Sequence, residues 1–193
     1  MECVVDQYLS READLRETPI SENHGTRDRG ATLGVEDAGT HPLDEPLFDQ
    51  AAVIPYRVEN GEIQICLITT RRKGRWGIPK GNIKTGHSFE QTALEEAYEE
   101  AGLRGDIVDE PLGIFRYYKS SDLRQAIVVL MSVSSAEDVW KEVDARIREW
   151  VAPRVARVRL ENLQLRSLLD LALRRIHSHH DQQQSSSAKS SAQ

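Results

Sequence analysis

A chain of 193 residues with 39% hydrophobic content holds enough material for one core of ordinary size and too little for two. The longest unbroken apolar run is residues 126–131, and no basic segment leads into an apolar stretch at the start. An ordinary signal peptide and a membrane-spanning helix are therefore excluded, and a cytoplasmic location is the expectation. The net charge of -6 is unevenly placed: residues 1–48 carry eleven Asp and Glu against four Arg and no Lys, so the remainder stands at +1. The acidic total thus does not argue against a polyanionic substrate.

Residues 1–48 are rich in Glu, Asp, Arg, Gly and Thr and show no period of 2 or 3.6, which predicts a mostly disordered segment with a short helix over 10–17. Val- and Ile-rich strands follow over 51–58 and 62–70, joined by Glu59-Asn60-Gly61, which carries hairpin turn chemistry. Cys66 in the second strand reads as a small buried hydrophobe. With Cys3 distant and no CxxC pair, neither a disulfide framework nor a zinc site can be built. A helix starts at Ser88, where Ser88-x-x-Gln91 fits a capping box, and stops at Gly102. Strands are expected over 112–118, 125–133 and 146–151. A helix over 162–176 then presents the leucines at 163, 165, 168, 169, 171 and 173 as a broad apolar face. From His177 the composition turns to His, Gln and Ser and predicts a disordered tail, 177–193, on which His177, His179 and His180 either stay in solvent or hold a metal ion. No internal repeat is present. Strands outnumber helices without strict alternation, so the domain over 49–176 is expected to be of the α/β class, α+β in kind, with a mixed sheet covered by helices.

Chemistry concentrates in the helix after Ser88. It carries Glu90, Glu95, Glu96, Glu99 and Glu100 with no Lys or Arg, and Glu96, Glu99 and Glu100 at i, i+3 and i+4 share one strip. Like charges so placed each cost about 0.2–0.5 kcal/mol in an isolated helix, so something must offset them. Phe89, Ala93, Ala97 and Ala101 form the opposite, core-facing stripe. The strip suits a solvated acidic face as well as a metal site; as a site, its oxygen-only donors suit Mg²⁺, Mn²⁺ or Ca²⁺ rather than zinc. Just before it stand Arg71, Arg72, Lys73, Arg75, Lys80 and Lys84, with no acid between 71 and 84. Cations beside a multi-carboxylate site are what phosphate transfer needs.

In this region the sequence resembles the Nudix hydrolases, whose motif is G-x5-E-x7-R-E-U-x-E-E-x-G-U with U bulky and apolar. Aligned on Gly81, the motif falls on Glu96, Glu99, Glu100, Gly102 and Leu103. His87 stands for the first Glu, Glu95 for the Arg and Ala97 for a bulky residue. The segment Trp76-Gly77-Ile78-Pro79-Lys80-Gly81 and the stretches Leu112-Gly113-Ile114-Phe115 and Arg148-Glu149-Trp150-Val151 extend the resemblance over roughly residues 50–175. It implies a Nudix-like mixed sheet between helices with a loop-helix-loop metal site. Glu96, Glu99 and Glu100 would hold Mg²⁺, with Mn²⁺ a possible substitute, helped by a backbone carbonyl at Lys80 or Gly81. Counting back from Trp150 gives Asp144 as an added loop carboxylate, with Glu142 as second candidate and an ordinary exposed acid as the other reading of Asp144. The resemblance also implies a pair bracing the loop against the helix, which would here be the charge-swapped pair His87 and Glu95, stronger when His87 is protonated.

The implied reaction is attack of water on phosphorus in an X-linked diphosphate, with Glu96, Glu99, Glu100 and Asp144 as the catalytic group. Arg71, Arg72, Arg75, Lys80, Arg116 and Lys119 are candidates for binding a small-molecule polyphosphate, with Arg124 extending the patch. Each taken singly also suits a solvated surface. Tyr117 and Tyr118 either stack on a base or simply pack. The resemblance points to diphosphoinositol polyphosphate phosphohydrolases and to diadenosine polyphosphate hydrolases. A Nudix fold that has lost catalysis and binds a phosphate ligand as a regulator is the rival reading. Nucleic acid is disfavoured by the near-neutral domain and the lack of a binding motif, and nothing in the sequence speaks to oligomeric state.

Overall fold

In the computed structural model, residues 48–72, 74–119 and 121–190 are described, with side chains described to residue 180. The expectations for residues 1–47, including the helix over 10–17, and for Lys73 lie outside the described residues.

The Val- and Ile-rich segments form the strands. β1 (Gln50–Glu59) turns through Asn60 and Gly61, at φ 53° and 81°, into β2 (Glu62–Thr69). Two consecutive positive φ values match the twist of the flanking strands. β1 pairs with β2 only over its far half, Tyr56 to Glu59. Over its first residues it pairs antiparallel with β4 (Lys80–Asn82) and, on its other edge, parallel with β6 (Asp122–Ala136). β3 (Trp76–Gly77) and β7 (Arg148–Val151) add to β2, and β5 (Leu103–Lys119) lies antiparallel beyond β6. The main path of this mixed sheet runs β3-β2-β1-β6-β5. Thr69 staples the chain leading into β7: its amide donates to Ile147 O and its hydroxyl accepts from Ile147 N, at 3.0 and 2.9 Å.

Because side chains alternate along a strand, β1 buries two sets. Ala52, Ile54 and Tyr56 join Ile65, Leu67, Val128 and Leu130 in a core that α3 (Leu163–Ser190) covers with Leu165, Leu168, Leu169, Ala172 and Ile176. Each large aliphatic side chain so buried is worth about 1.5–3 kcal/mol of transfer free energy. Ala51 and Val53, also fully buried, alternate to the opposite side, and α1 (Phe89–Ala101) packs on β1 through Ala93, Ala97 and Ala101. The architecture is therefore the expected mixed sheet with helices against it.

Several elements differ from expectation. β5 starts immediately after the α1 cap and is 17 residues long; its pairing with β6 slips between Arg104 and Gly105 and again between Val108 and Gly113. Those slips interrupt the alternation and hide its first half. α2 (Pro153–Arg159) was not anticipated, although Pro153 occupies its first turn, a position proline favours. The stretch from His177, expected to be a tail, instead continues α3 to Ser190. No Gly or Pro interrupts residues 163–190, and Leu, Gln, Arg and Ala propagate a helix well. His177 Nδ1 lies 2.6 Å from Leu173 O and His179 pairs with Asp109, so these histidines serve the helix and its contact with β5. Among the described residues no helix is long and apolar enough to cross a membrane.

Candidate active site

α1 is fixed at both ends as its sequence dictates. The Ser88 side chain accepts from Gln91 N at 3.2 Å, the Gln91 side chain accepts from Ser88 N at 2.9 Å, and Gly102 closes the helix at φ 64°, where a Cβ would be strained. The fully buried alanine stripe sets the rotation about the axis, and the small Ala97 lets the helix sit close to the sheet. Glu100 is thereby carried to the buried flank at 6% exposure, while Glu96 and Glu99 remain half-buried.

The counter-charge that α1 lacks comes from elsewhere in the chain. Lys84 Nζ pairs with Glu95 at 2.8 Å and Lys141 Nζ with Glu99 at 2.5 Å, while Arg146 pairs with Glu100. Arg148 donates to Ala101 O at 2.6 Å, placing a cation at the negative end of the helix dipole. His87 Nδ1 lies 3.2 Å from Glu95 without hydrogen-bonding to it, and Lys84 is the group whose hydrogen bond holds Glu95. The Lys84 hydrogen bond, aided by His87, holds the Glu95 carboxyl below its ordinary range.

Glu96 and Glu100 meet the chain at Lys80 and Gly81. Glu100 Oε2 accepts from Lys80 N at 3.0 Å. At Gly81 a Cβ would fall 1.8 Å from Glu96 Oε1, so glycine is what admits this carboxylate to the backbone. Burial, and then the neighbouring charges of Glu100 and Glu99, push the Glu96 carboxyl up. Burial likewise pushes Glu100 up, against Arg146 and the Lys80 amide. Two desolvated carboxylates beside a glycine backbone are an all-oxygen donor set that fits a hard divalent cation. Among the described residues no three His, Cys, Asp or Glu side chains are gathered as for direct coordination. Glu99 is turned onto Lys141 and Glu100 onto Arg146.

The expected cations separate into two groups. Lys80 lies beside Glu96 and Glu100, and burial pushes its ammonium down. Its Nζ sits 5.1 Å from the Tyr117 ring centroid, and Lys119 is near enough to act on it. Tyr117 donates to Gln50 Oε1 at 2.5 Å, and Gln50 donates to Asn82 Oδ1 at 2.7 Å, which ties β5, β1 and β4 together around this lysine. Tyr117 also stacks on Phe115, whereas Tyr118 is 73% exposed. Arg71 pairs with Glu142, Arg75 turns to Glu161 at 3.6 Å, and Arg116 donates to Gln125 at 2.8 Å. Arg72 is exposed. Arg124 is committed to Asp49 at 2.7 Å.

Asp144 lies on an exposed turn, with no hydrogen bond or ion pair to α1 among the described residues. Glu142, two residues earlier, is buried at 7% exposure and accepts from Arg146 Nε at 2.5 Å. Sequence reasoning ranked Asp144 ahead of Glu142 and passed over Arg146. The available signal was the i, i+4 spacing of Glu142 and Arg146.

This arrangement is found in a chain with clear relatives. Residues 47–172 match the family model described as NUDIX domain. The chain is 31% identical over 128 residues to Nudix hydrolase 21, chloroplastic, of Arabidopsis thaliana, covering 63% of this chain and 64% of that protein. It is 29% identical over 103 residues to diphosphoinositol polyphosphate phosphohydrolase 3-alpha of Mus musculus, covering 52% and 62%. The match thus spans somewhat less than two thirds of these relatives' length. A crystal structure of the C. elegans Ap4A hydrolase has the same fold, with a TM-score of 0.54 at 21% identity over 63% of this chain and 92% of that one. With the family model matched over most of the described domain, this chain belongs to the Nudix family.

Proposed function

We propose that this chain is a divalent-cation-dependent hydrolase that splits a phosphate anhydride in an X-linked diphosphate or polyphosphate of the diphosphoinositol polyphosphate or diadenosine polyphosphate kind. The observation that carries the reading is the meeting of Glu96 and Glu100 with the Lys80–Gly81 backbone, beside the buried Lys80 ammonium. Glu96, Glu100, Glu99 once released from Lys141, and the Gly81 carbonyl would hold Mg²⁺, or Mn²⁺ in its place. When bound, the cation would polarise the phosphate and lower the pKa of the attacking water. Glu96, whose carboxylate lies against the Gly81 backbone, is the residue assigned to take the water's proton. Lys80, with Lys119, would neutralise charge growing on the phosphate oxygens, and Tyr117 would hold Lys80 in place. Arg71 and Arg72 would contact only the outer part of a long polyphosphate. Arg75 and Arg116, turned to Glu161 and Gln125, are assigned no contact. Asp144 is assigned no contact with the cation, and Glu142, the loop acid that faces α1, is assigned to hold Arg146 rather than the cation.

The names of the mouse and nematode proteins support the two substrate classes. Residues 49–176 are assigned as the catalytic domain. A cytoplasmic location is proposed for this chain, although relatives include chloroplastic and mitochondrial proteins. Magnesium-dependent phosphate release from a panel of diadenosine polyphosphates, inositol pyrophosphates and nucleoside diphosphate derivatives tests the assignment. Glu99→Gln and Glu100→Gln should each lower turnover at least about 100-fold, and near-normal turnover in both would refute the ligand set. Glu99 and Glu100 being held by Lys141 and Arg146 favours the regulator reading, which predicts tight binding without turnover.

A further inference from the structure

Arg146 lies where no cation is needed for packing alone. Its side chain is 11% exposed and stands between two carboxylates, those of Glu100 and Glu142, that are each 8% exposed. The three directions of its guanidinium are divided among three elements. Nη2 donates to Glu100 Oε1 on α1, Nε to Glu142 Oε2 on the turn before β7 at 2.5 Å, and Nη1 to Thr69 O at the end of β2 at 3.0 Å. Both oxygens of Glu100 are thereby engaged, because the other accepts from Lys80 N. Those of Glu142 are engaged too, since Arg71 donates to both. Two acids and two guanidinium groups thus form a closed, neutral chain, Arg71–Glu142–Arg146–Glu100, that ends on a carboxylate assigned to the metal site.

We propose that Arg146 is a positioning residue that occupies Glu100 as a built-in cation in the metal-free protein, so that a divalent cation binds by taking Glu100 from it while Glu142 retains the guanidinium. The inference rests on the metal site proposed above. Its physical basis is the cost of an unpaired buried charge. Without a metal, Glu100 at 6% exposure needs a cation, and Arg146 supplies one. With a metal, the guanidinium must stay paired, and Glu142, itself braced by Arg71, offers the second carboxylate that makes this possible. Arg146 therefore lowers metal affinity while stabilising the empty site, and those two effects have opposite signs on removal.

The full chain, stripped with EDTA, is titrated with Mn²⁺ alone and free Mn²⁺ is followed by its EPR signal, for wild type, Arg146→Gln and Glu100→Gln. Thermal melts are run with and without Mn²⁺. Arg146→Gln should bind Mn²⁺ about tenfold more tightly than wild type. It should melt lower than wild type in EDTA and recover most of that loss in Mn²⁺. A residue that merely supports the fold would lower both melts equally and leave the affinity unchanged. Arg146→Lys, which keeps a charge but loses the fork, supplies the same comparison should the glutamine variant fold poorly, and should also bind more tightly. Wild type that binds Mn²⁺ through Glu100, with neither Arg146 variant binding more tightly, overturns the exchange and leaves the metal site standing. Wild type that binds no Mn²⁺, or Glu100→Gln that binds it as well as wild type, overturns both.

Discussion

Gly81→Ala probes the junction of backbone and carboxylate most directly. The new Cβ would fall 1.8 Å from Glu96 Oε1, 2.2 Å from Cδ and 2.9 Å from Oε2, whereas ordinary contacts begin at 3.4 Å. The φ at this position is not positive, so the backbone accepts alanine and the carboxylate gives way, by about the 1.6 Å that separates 1.8 from 3.4. Relocating Glu96 off its rotamer costs about 0.5–1.5 kcal/mol, offset by the roughly 0.5–1 kcal/mol that alanine gains over glycine in a strand. Net stability should thus change by less than about 1 kcal/mol. A misplacement of about 1 Å at a reacting centre costs on the order of 100-fold, so kcat/KM on the best substrate of the panel should fall by that factor, about 2.7 kcal/mol in the barrier. Thermal melting in EDTA, Mn²⁺ titration and steady-state turnover, run on one preparation, separate the two effects. Unchanged turnover and Mn²⁺ affinity would show that Glu96 leaves Gly81 without consequence, and the proposed metal seat would be lost.

Other perturbations bear on the frame around the site. Burial raises the Asp49 carboxyl, but the Arg124 hydrogen bond and the Gln125 amide outweigh it and leave the group below the ordinary aspartate range. A depressed acid stabilises the fold above its unfolded pKa and loses that contribution as pH falls through its folded value. Asp49→Asn should therefore cost under about 1 kcal/mol at pH 7, this pair being partly exposed, and progressively less as pH falls below the ordinary aspartate range; a loss in urea melts that does not shrink on acidification would contradict the pairing. His87→Ala at pH 6 should lower the melting temperature only slightly, because all three members of the Glu95 cluster are exposed by a third or more; no measurable change would remove the brace. Burial pushes the Cys66 thiol up to about 12, so iodoacetamide at pH 8 should label it only after denaturation, and fast labelling of Cys66 in the native chain, read by peptide mapping apart from Cys3, would contradict its burial.

What the sequence made legible was what local chemistry controls. The Asn60–Gly61 turn, the Ser88–Gln91 box, the Gly102 stop and the alanine stripe each depend on residues a few positions apart, and each forms as read. Glu99 and Glu100 were legible as a strip, but not as side chains already engaged, because Lys141 and Arg146 lie more than 40 positions away in sequence. The six cations before the helix illustrate the same limit. Residues four positions apart across this loop diverge, so Arg71 goes to Glu142 while Arg75 goes to Glu161, and a count of charges cannot register the difference. Counting back from Trp150 to Asp144 fixes a distance along the chain, but not which acid of the turn faces inward, and it is Glu142 that is buried. The first half of β5 was hidden by its slips, and the extension of α3 by a composition that suits tails and helices alike.

The import of cations to α1 also bears on how this part of the protein opens. A 13-residue helix with five glutamates and no base of its own is marginal alone, since a helix shorter than about 12–15 residues scarcely persists in water even when Ala-rich. Its last turn depends on Lys141, Arg146 and Arg148, all borne on the segment between β6 and β7 and on β7 itself. Release of that segment would leave Glu99 and the Ala101 carbonyl without these partners and Glu100 with the Lys80 amide alone, and the helix end would fray with it. In hydrogen exchange the amides of the last turn of α1 and those of residues 141–148 should therefore lose protection together, as one cooperative unit whose opening free energy lies below that of the β1–β6 core.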